Sequence, residues 1–223
     1  MMTKRRYLLL LIASGSLAVQ AQTYAQTTAK TTAQAQAQTQ AQTQTQTPPP
    51  EAPLRVEGQT FERRTRVAGT ELVLNGTGVR AVAWFKAYVA GLYLRSRSAD
   101  ANAAVAAVGP KRLQLRMLQE VPAQEFVKAF KKGVERNADA AELPRLTARM
   151  ERFEALIAEL GTVHKGDRID LDYEPGRGMV FSLNGTLRGE VIAGEDFYAA
   201  LLRSFVGEHP YDTKLKAGLL GQT

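Results

Sequence analysis

The chain has no cysteine, only two histidines and a single tryptophan in 223 residues. Without cysteine it can form neither disulfides nor thiolate metal sites, and cysteine-based catalysis is excluded. His164 and His209 stand in polar, turn-like segments, and no HxH or HExxH spacing supports a metal site. The stretch GTGVRAV lacks the third glycine of a dinucleotide-binding fingerprint, and neither a P-loop nor a GxSxG motif is present. We therefore expect no metal and no cofactor.

Long hydrophobic runs are also absent, apart from one short run near the N-terminus. Residues 1–21 combine the basic residues Lys4, Arg5 and Arg6 with the apolar stretch YLLLLIASGSLAV. This pattern predicts a secretory signal peptide, since the apolar stretch is too short for a good membrane span. No cysteine follows that could carry a lipid anchor. We expect a periplasmic or secreted protein with no stable membrane span after cleavage.

The basic excess of the chain is smaller than it first looks. Cleavage of the signal peptide removes Lys4, Arg5 and Arg6, which lowers the formal net charge from +7 to +4. Such a modest excess in an exported protein does not favour nucleic acid as a partner.

Three segments follow from composition. After the signal peptide (1–21), residues 22–53 form a repeat of Gln, Thr and Ala that ends in a proline cluster. This segment has no apolar face to bury, so it is predicted to be a disordered linker. Residues 54–223 have a globular composition and are long enough for one domain with its own core. We expect a monomer.

The predicted strands come in two groups. TELVLNGTGVR, residues 70–80, reads as two short strands around an NGTG turn, and residues 82–95 continue in strand character. Residues 111–121 alternate, with Leu113, Leu115 and Met117 on one face. Three further strands are predicted at RIDLDYE, GMVFSLN and LRGEVI, and Asn184-Gly185 is a strong hairpin signal.

Helices are predicted after each group of strands. A short one at residues 99–108 ends at Gly109-Pro110, and two longer ones follow, one opening at Pro122 and one over residues 142–160. EDFYAALLRSFVG and DTKLKAGLLG complete the set. The order of strands, helices, strands and helices predicts an α+β fold, with an antiparallel sheet whose helices gather on one face.

Two charged patterns carry no chemistry by themselves. Asp170 and Asp172 are two residues apart on a strand, so they share one face, which we interpret as an ordinary solvated face. The basic run KAFKKGVERN lies mostly opposite Phe126 and Phe130 on its helix, which indicates a solvated helix face.

Two sequence blocks, taken together, resemble the chalcone isomerase-like family. They are GxGVR…YVAxLYL and LLRxxxGExPxDxxLKxGLLG, and the likeness extends from about Glu57 to Gly221. It is nearer to the bacterial, secreted branch than to the plant enzymes. The resemblance implies an open-faced β-sandwich, in which a large antiparallel sheet lies under a layer of helices with a ligand cleft between them.

The resemblance also implies site residues. Arg80 matches the family's cleft arginine, and the alignment puts Tyr88 where the enzyme has a threonine. The first cleft helix supplies a tyrosine, a lysine and an asparagine in the enzyme, whereas this chain has Phe126, Ala129 and Gly133. In the family's non-catalytic relatives an arginine and a tyrosine hold a fatty-acid carboxylate. The even separation of Arg80 and Tyr88 would place both on one face of a continuous strand.

Three functional hypotheses follow. We expect a non-catalytic protein that binds a lipophilic, anionic small molecule such as a fatty acid, with ligand-binding residues Arg80, Tyr88, Trp84, Phe126 and Phe130. The alternative is an intramolecular lyase of the chalcone isomerase type acting on a phenolic enone, so the enzyme question stays open. The third is an accessory protein that binds a partner and no ligand. Arg80 could instead pair with an acid such as Glu71, and the aromatic residues could simply form core.

Overall fold

The computed structural model describes residues 51–82 and 84–222. The predicted signal peptide and nearly all of the predicted linker lie outside the described residues. In the described part the strands are β1 (Leu54–Val56), β2 (Gln59–Phe61), β3 (Arg64–Val67), β4 (Thr70–Val82), β5 (Phe85–Leu94), β6 (Lys111–Met117), β7 (Val121–Pro122), β8 (Thr162–Val163), β9 (Arg168–Glu174), β10 (Gly178–Leu183) and β11 (Thr186–Leu187). The helices are α1 (Ala101–Ala106), α2 (Ala123–Asn137), α3 (Leu143–Ala158), α4 (Glu195–Val206) and α5 (Thr213–Leu219).

Seven strands form one sheet in the order β11-β10-β9-β6-β5-β4-β3, and every neighbouring pair is antiparallel. The β1–β2 hairpin and the pair β7–β8, whose strands are separated in sequence by α2 and α3, lie outside this sheet as two-stranded pairs. The predicted α+β fold, an open-faced sandwich of sheet and helices, is confirmed. None of the helices in the described part is long and apolar enough to cross a membrane.

Alternation along β5 divides the hydrophobic residues between two faces of the sheet. Tyr88, Ala90 and Leu92 belong to the larger core, which the sheet shares with the helices. Val89 and Tyr93 belong to a smaller core on the opposite face, with residues of β2, β3 and β4. The sheet therefore has one face under the helices and one under the short N-terminal strands.

The predicted helices are present with slightly different ends. α2 begins after Pro122, whose backbone φ of −58° is already suited to helix entry. α3 covers most of the predicted range, and its buried residues recur at helical spacing: Leu146, Met150, Phe153, Leu156 and Ile157. α4 ends at Val206, and Gly207 follows as its C-cap residue.

The NGTG segment is not a turn, so the prediction of two short strands there was wrong. It lies inside the 13-residue strand β4, with a register shift between Leu74 and Gly76. A Cβ on Gly76 would lie 2.2 Å from the Gly218 carbonyl oxygen, and one on Gly78 would lie 2.5 Å from the Leu215 carbonyl oxygen. The glycines allow the backbone of α5 to pack directly on β4.

The other NG signal does form the predicted hairpin. Asn184 and Gly185 join β10 to β11 with φ values of 54° and 82°, as a two-residue hairpin turn of the mirror-image type requires. The third strand of this group was overpredicted, since of LRGEVI only Leu187 lies in a strand. Ile192 makes a single bridge to Met179 instead.

The face that carries Asp170 and Asp172 is not solvated, which corrects the interpretation made from alternation. The two carboxylates are only 2% and 6% exposed. Arg112 donates from Nε and Nη2 to the two oxygens of Asp172, both at 2.6 Å, and from Nη1 to Thr65 at 2.9 Å. Gln114 donates to Asp170 at 2.6 Å. Alternation detects a polar face, but it does not detect the short strands that cover it.

Candidate functional site

A cavity of about 470 Å³ lies between the sheet and the helices. Its walls come from β4, β5, β6, β9 and β10 on the sheet side and from α2, α3 and α4 on the helix side. Sixteen of the 22 lining residues have hydrocarbon side chains, and the other six are Arg80, Tyr88, Glu125, Lys128, Lys132 and Tyr211. The cavity is therefore an apolar chamber with a few polar groups.

Arg80 and Tyr88 reach this cavity from two strands, not from one. Residues 82–95 were predicted to continue as strand, but Val82 pairs with Phe85 and the chain reverses between them. Arg80 on β4 is thereby directly opposite Tyr88 on β5. The two side chains share a face because they form a cross-strand pair, so the inference from an even separation on one strand was wrong in its reason.

Arg80 has a partner that the sequence did not indicate. Its Nη1 donates to Asp212 Oδ2 at 3.0 Å, and the Tyr211 carbonyl oxygen lies 3.4 Å away. The alternative pairing with Glu71 is wrong, since Glu71 accepts from Arg64. Nε and Nη2 of Arg80 make no hydrogen bond within residues 51–82 and 84–222. One edge of the guanidinium is therefore available to a ligand.

Two tyrosines lie beside Arg80. The guanidinium carbon of Arg80 is 5.5 Å from the centre of the Tyr211 ring. Burial, opposed by the positive charge of Arg80, raises the pKa of Tyr88 to about 12. Burial likewise raises the pKa of Tyr211 well above its usual value. Both phenols are therefore protonated at neutral pH, and each hydroxyl is able to donate a hydrogen bond.

Four of the five residues predicted to bind ligand line this cavity, and one does not. Phe126 stacks on Tyr88 with ring centres 6.0 Å apart, and Phe130 makes an edge contact of 4.7 Å with Phe153. Trp84 is 95% exposed and does not line the cavity. Trp84 lies in the turn between β4 and β5, so the prediction that it forms part of the cavity wall is withdrawn.

Tyr211 and Asp212 were missed as site residues, although both lie inside the second sequence block that suggested the family. Asp212 caps α5, accepting from the backbone N–H of Leu215 at 2.9 Å, which leaves its other oxygen for Arg80. An aspartate three residues before a leucine predicts such a cap. Nothing in the local sequence predicts that the cap meets an arginine 132 positions earlier.

The α2 positions that would carry polar groups in the cyclising enzyme contribute none here. Phe126 and Ala129 line the cavity, whereas Gly133 packs against α4, where a Cβ would lie 2.6 Å from the Ser204 Cβ. Lys128 does line the cavity, but its ammonium is paired with Glu125 at 2.8 Å.

The comparisons with known proteins agree with this architecture. The family model described as chalcone isomerase-like matches residues 53–221. A crystal structure of a fatty-acid binding protein from Arabidopsis thaliana superposes with a TM-score of 0.58, at 15% sequence identity, and covers 75% of this chain and 95% of that one. A search of curated protein sequences gave no significant match. The chain belongs to the chalcone isomerase-like family.

Proposed function

We propose that this protein binds a lipophilic carboxylate, such as a long-chain fatty acid, in the cavity and performs no chemistry on it. The observation that carries the proposal is an apolar chamber containing an arginine with an unused edge. The third hypothesis from the sequence, an accessory protein with no ligand, does not account for an apolar cavity between the sheet and the helices.

The walls suit a hydrocarbon tail. A volume of about 470 Å³ is in the usual range for small-molecule sites, which are mostly apolar with a few placed polar groups. Burying an alkyl chain against such walls is favourable by about 0.8 kcal/mol for each methylene.

The free edge of Arg80 suits the carboxylate head. The same edge of another arginine in this protein, Nε and Nη2 of Arg112, holds the Asp172 carboxylate with two bonds of 2.6 Å. A planar guanidinium fork matches a carboxylate in this side-on geometry. Tyr88, directly opposite Arg80, supplies a neutral hydroxyl as a second donor.

Two further points support binding over catalysis. The Arabidopsis protein of similar fold is named for fatty-acid binding, although at 15% identity this shows only a shared fold. Cyclisation of a chalcone needs donors aimed at the developing enolate. Phe126 and Ala129 offer no such donors from α2.

The test is a titration of the protein with a long-chain carboxylate, with the heat of binding measured by calorimetry. Arg80→Ala should weaken binding by about 10–100-fold, because a charge-assisted hydrogen bond contributes roughly 1.5–3 kcal/mol. Arg80→Lys should recover only part of the loss, since an ammonium lacks the fork. An alcohol with the same tail should bind the unchanged protein and Arg80→Ala with equal affinity. Equal losses for acid and alcohol would show that Arg80 shapes the cavity and does not recognise charge.

Controls separate this effect from misfolding and from net charge. Arg80→Ala leaves Asp212 without its partner, so the double variant Arg80→Ala/Asp212→Asn removes that charge as well. Arg64→Ala is the matched control, because it removes an arginine whose carboxylate partner is exposed and distant from the cavity lining. We expect Arg64→Ala to bind like the unchanged protein.

The enzyme alternative has its own measurement. Purified protein should not accelerate closure of a chalcone beyond the spontaneous rate, since loss of a single donor of this type typically costs about 100–1,000-fold. Turnover that disappears in Arg80→Ala would replace the binding proposal with a lyase.

We also propose that binding takes place outside the cytoplasm. This part of the proposal is supported by the basic and apolar pattern of residues 1–21. N-terminal sequencing of exported protein should find a start near Gln22, and an intact Met1 on cytoplasmic protein would contradict it.

A further inference from the structure

The hairpin that joins β4 to β5 ends in two adjacent exposed aromatic residues, Trp84 and Phe85, which we call the aromatic tip. Trp84 is 95% exposed, so its ring has almost no contact with the rest of the described chain, and Phe85 is 40% exposed. Among the described residues the other large exposed hydrophobics, Val108 and Leu187, are isolated from this pair in sequence. Paired exposed aromatic rings indicate an interaction site.

The aromatic tip lies at the opening of the cavity. Phe85 is both solvent-exposed and part of the cavity lining. Lys128 and Lys132, one turn apart on α2, are likewise exposed and line the same cavity. Phe85, Lys128 and Lys132 therefore form the cavity mouth.

The charge at the mouth is mostly positive. Lys131 is a third exposed lysine on this part of α2. Glu125 is the acidic residue of the cavity lining and is already paired with Lys128. On the hairpin side, Lys86 is paired with Glu57. Two ammonium groups, those of Lys131 and Lys132, thus add positive charge beyond these two pairs.

We propose that the aromatic tip and the α2 lysines dock the protein on an anionic lipid bilayer, with the cavity mouth facing the lipid. Tryptophan is enriched at the membrane–water interface because its ring is apolar while its N–H is polar. Lysines beside it are attracted to anionic headgroups. The docking surface is inferred from exposure and charge alone. Only its suggested purpose, to give the ligand a route into the cavity, rests on the proposed function.

A bilayer fits this surface better than a protein partner does. A stable protein interface buries about 800 Å² on each side around an apolar centre. Here two aromatic rings at the end of a hairpin are combined with flexible lysines, which is the composition of peripheral membrane contacts. The arrangement also lets a lipophilic acid enter the cavity without crossing water.

Trp84 reports on this contact directly, because it is the single tryptophan of the chain. The full chain, free of added ligand, is mixed with phosphatidylcholine vesicles that do or do not contain phosphatidylglycerol. We expect the Trp84 emission to shift to shorter wavelength with the anionic vesicles and much less with the neutral ones. An unchanged emission on anionic vesicles would overturn the proposal.

Sedimentation with the vesicles measures the contribution of each part. Lys131→Gln/Lys132→Gln should weaken binding by about 25-fold, from roughly 1 kcal/mol for each lysine near an anionic surface. Trp84→Ala/Phe85→Ala should also release the protein. Residues 1–50 are the same in every variant, so any vesicle affinity of that segment is common to all of them.

Two matched controls remove similar groups elsewhere. Arg66→Gln/Arg188→Gln removes two exposed cations, one from β3 and one that follows β11, and Val108→Ala/Leu187→Ala removes two exposed apolar side chains. Both should bind vesicles like the unchanged protein. If a control pair loses as much vesicle affinity as the α2 lysine or aromatic-tip variant, then overall charge or surface hydrophobicity drives binding, which overturns the proposal.

The remaining outcome is self-association. A shift in Trp84 emission that depends on protein concentration without vesicles would assign the aromatic tip to a contact between copies and overturn membrane docking. Ligand affinity is measured separately in vesicle-free solution. If the unchanged protein binds fatty acid but not anionic vesicles, the docking proposal alone is overturned. If it binds the vesicles but not fatty acid, only the proposed function is overturned.

Discussion

Arg112 and Arg80 stand on opposite faces of the same sheet, and their guanidinium groups have different surroundings. The Nε and Nη2 edge of Arg112 is filled by Asp172, and its Nη1 is bonded to Thr65. The corresponding edge of Arg80 has no partner in the described part of the chain, although its Nη1 is bonded to Asp212. One arginine is fully engaged by the fold, and the other retains donors beside a cavity.

This contrast separates a charge that serves the fold from one that we propose binds the ligand. A buried ion pair with its hydrogen bonds complete holds strands in register and has little left to offer a ligand. The Arg80 guanidinium, held by Asp212 at one nitrogen and lining the cavity, keeps donors that no residue of the described part uses. The prediction is that changes on the Arg112 face alter stability, while changes on the Arg80 face alter affinity.

The largest expected effect is on the Arg112 face. Asp172→Ala leaves a mostly buried guanidinium without its main partner, so the free energy of unfolding should fall by about 3–5 kcal/mol. Guanidinium chloride unfolding measures this loss. Arg112→Met/Asp172→Leu should recover much of it, because the double variant leaves no unpaired charge. If Asp172→Ala lowers the free energy of unfolding no more than Arg80→Ala does, the two faces of the sheet do not differ in the way we predict.

A change that fills the cavity should lower ligand affinity and leave stability unchanged. Ala129→Phe places a ring in space that a ligand tail would occupy, so affinity should fall by roughly 10–100-fold, as for an overpacked site. Stability should hold, because the ring enters a cavity and not a filled core. Ala155→Phe, on an exposed position of α3, is the control that should bind normally. Unchanged affinity in Ala129→Phe would place the ligand elsewhere.

A smaller effect should come from the acid that shares Arg80. Asp212→Asn removes a negative charge beside the proposed carboxylate, and affinity for long-chain acids should rise about fivefold, for roughly 1 kcal/mol. Asparagine is also a good helix cap, so α5 should keep its N-terminus. The affinity for the alcohol analogue should not change. A drop in acid affinity would instead show that Asp212 orients Arg80 for binding.

The smallest effect should come from Tyr88. Tyr88→Phe removes one neutral donor, and we expect about a threefold loss of acid affinity, within the usual 0.5–1.5 kcal/mol. Burial raises the pKa of Tyr88 to about 12, while an unfolded tyrosine titrates at about 10. The contribution of Tyr88 to stability should therefore be complete below about pH 10 and be lost as the pH rises toward about 12. Subtracting the phenolate absorbance titration of Tyr88→Phe from that of the unchanged protein isolates this group. A Tyr88 midpoint near 10 would contradict its burial.

The interpretation of the sequence was wrong at two places: NGTG, which has turn composition but lies in a strand, and the reversal after Val82, which has no turn residues. NGTG has turn composition, yet its glycines serve the packing of α5 on β4, and the Asn75 amide donates to the Leu219 carbonyl oxygen at 2.7 Å. The reversal after Val82 carries no glycine, proline or asparagine, so residues 82–95 gave no turn signal. The error moved Arg80 and Tyr88 onto one strand and Trp84 into the cavity wall.

What could be derived from the sequence alone is what nearest neighbours along the chain control. Apolar spacing of 3.6 residues located α2, α3 and α4, alternation located β6, and the Asn184-Gly185 pair located a hairpin, because each depends on only a few consecutive residues. The family motifs added Arg80 and the cavity between sheet and helices. Only the tertiary structure decided the partners of each charge. Asp212 meets Arg80 and Asp172 meets Arg112 across gaps of 132 and 60 residues, and such contacts depend on how the sheet and helices pack.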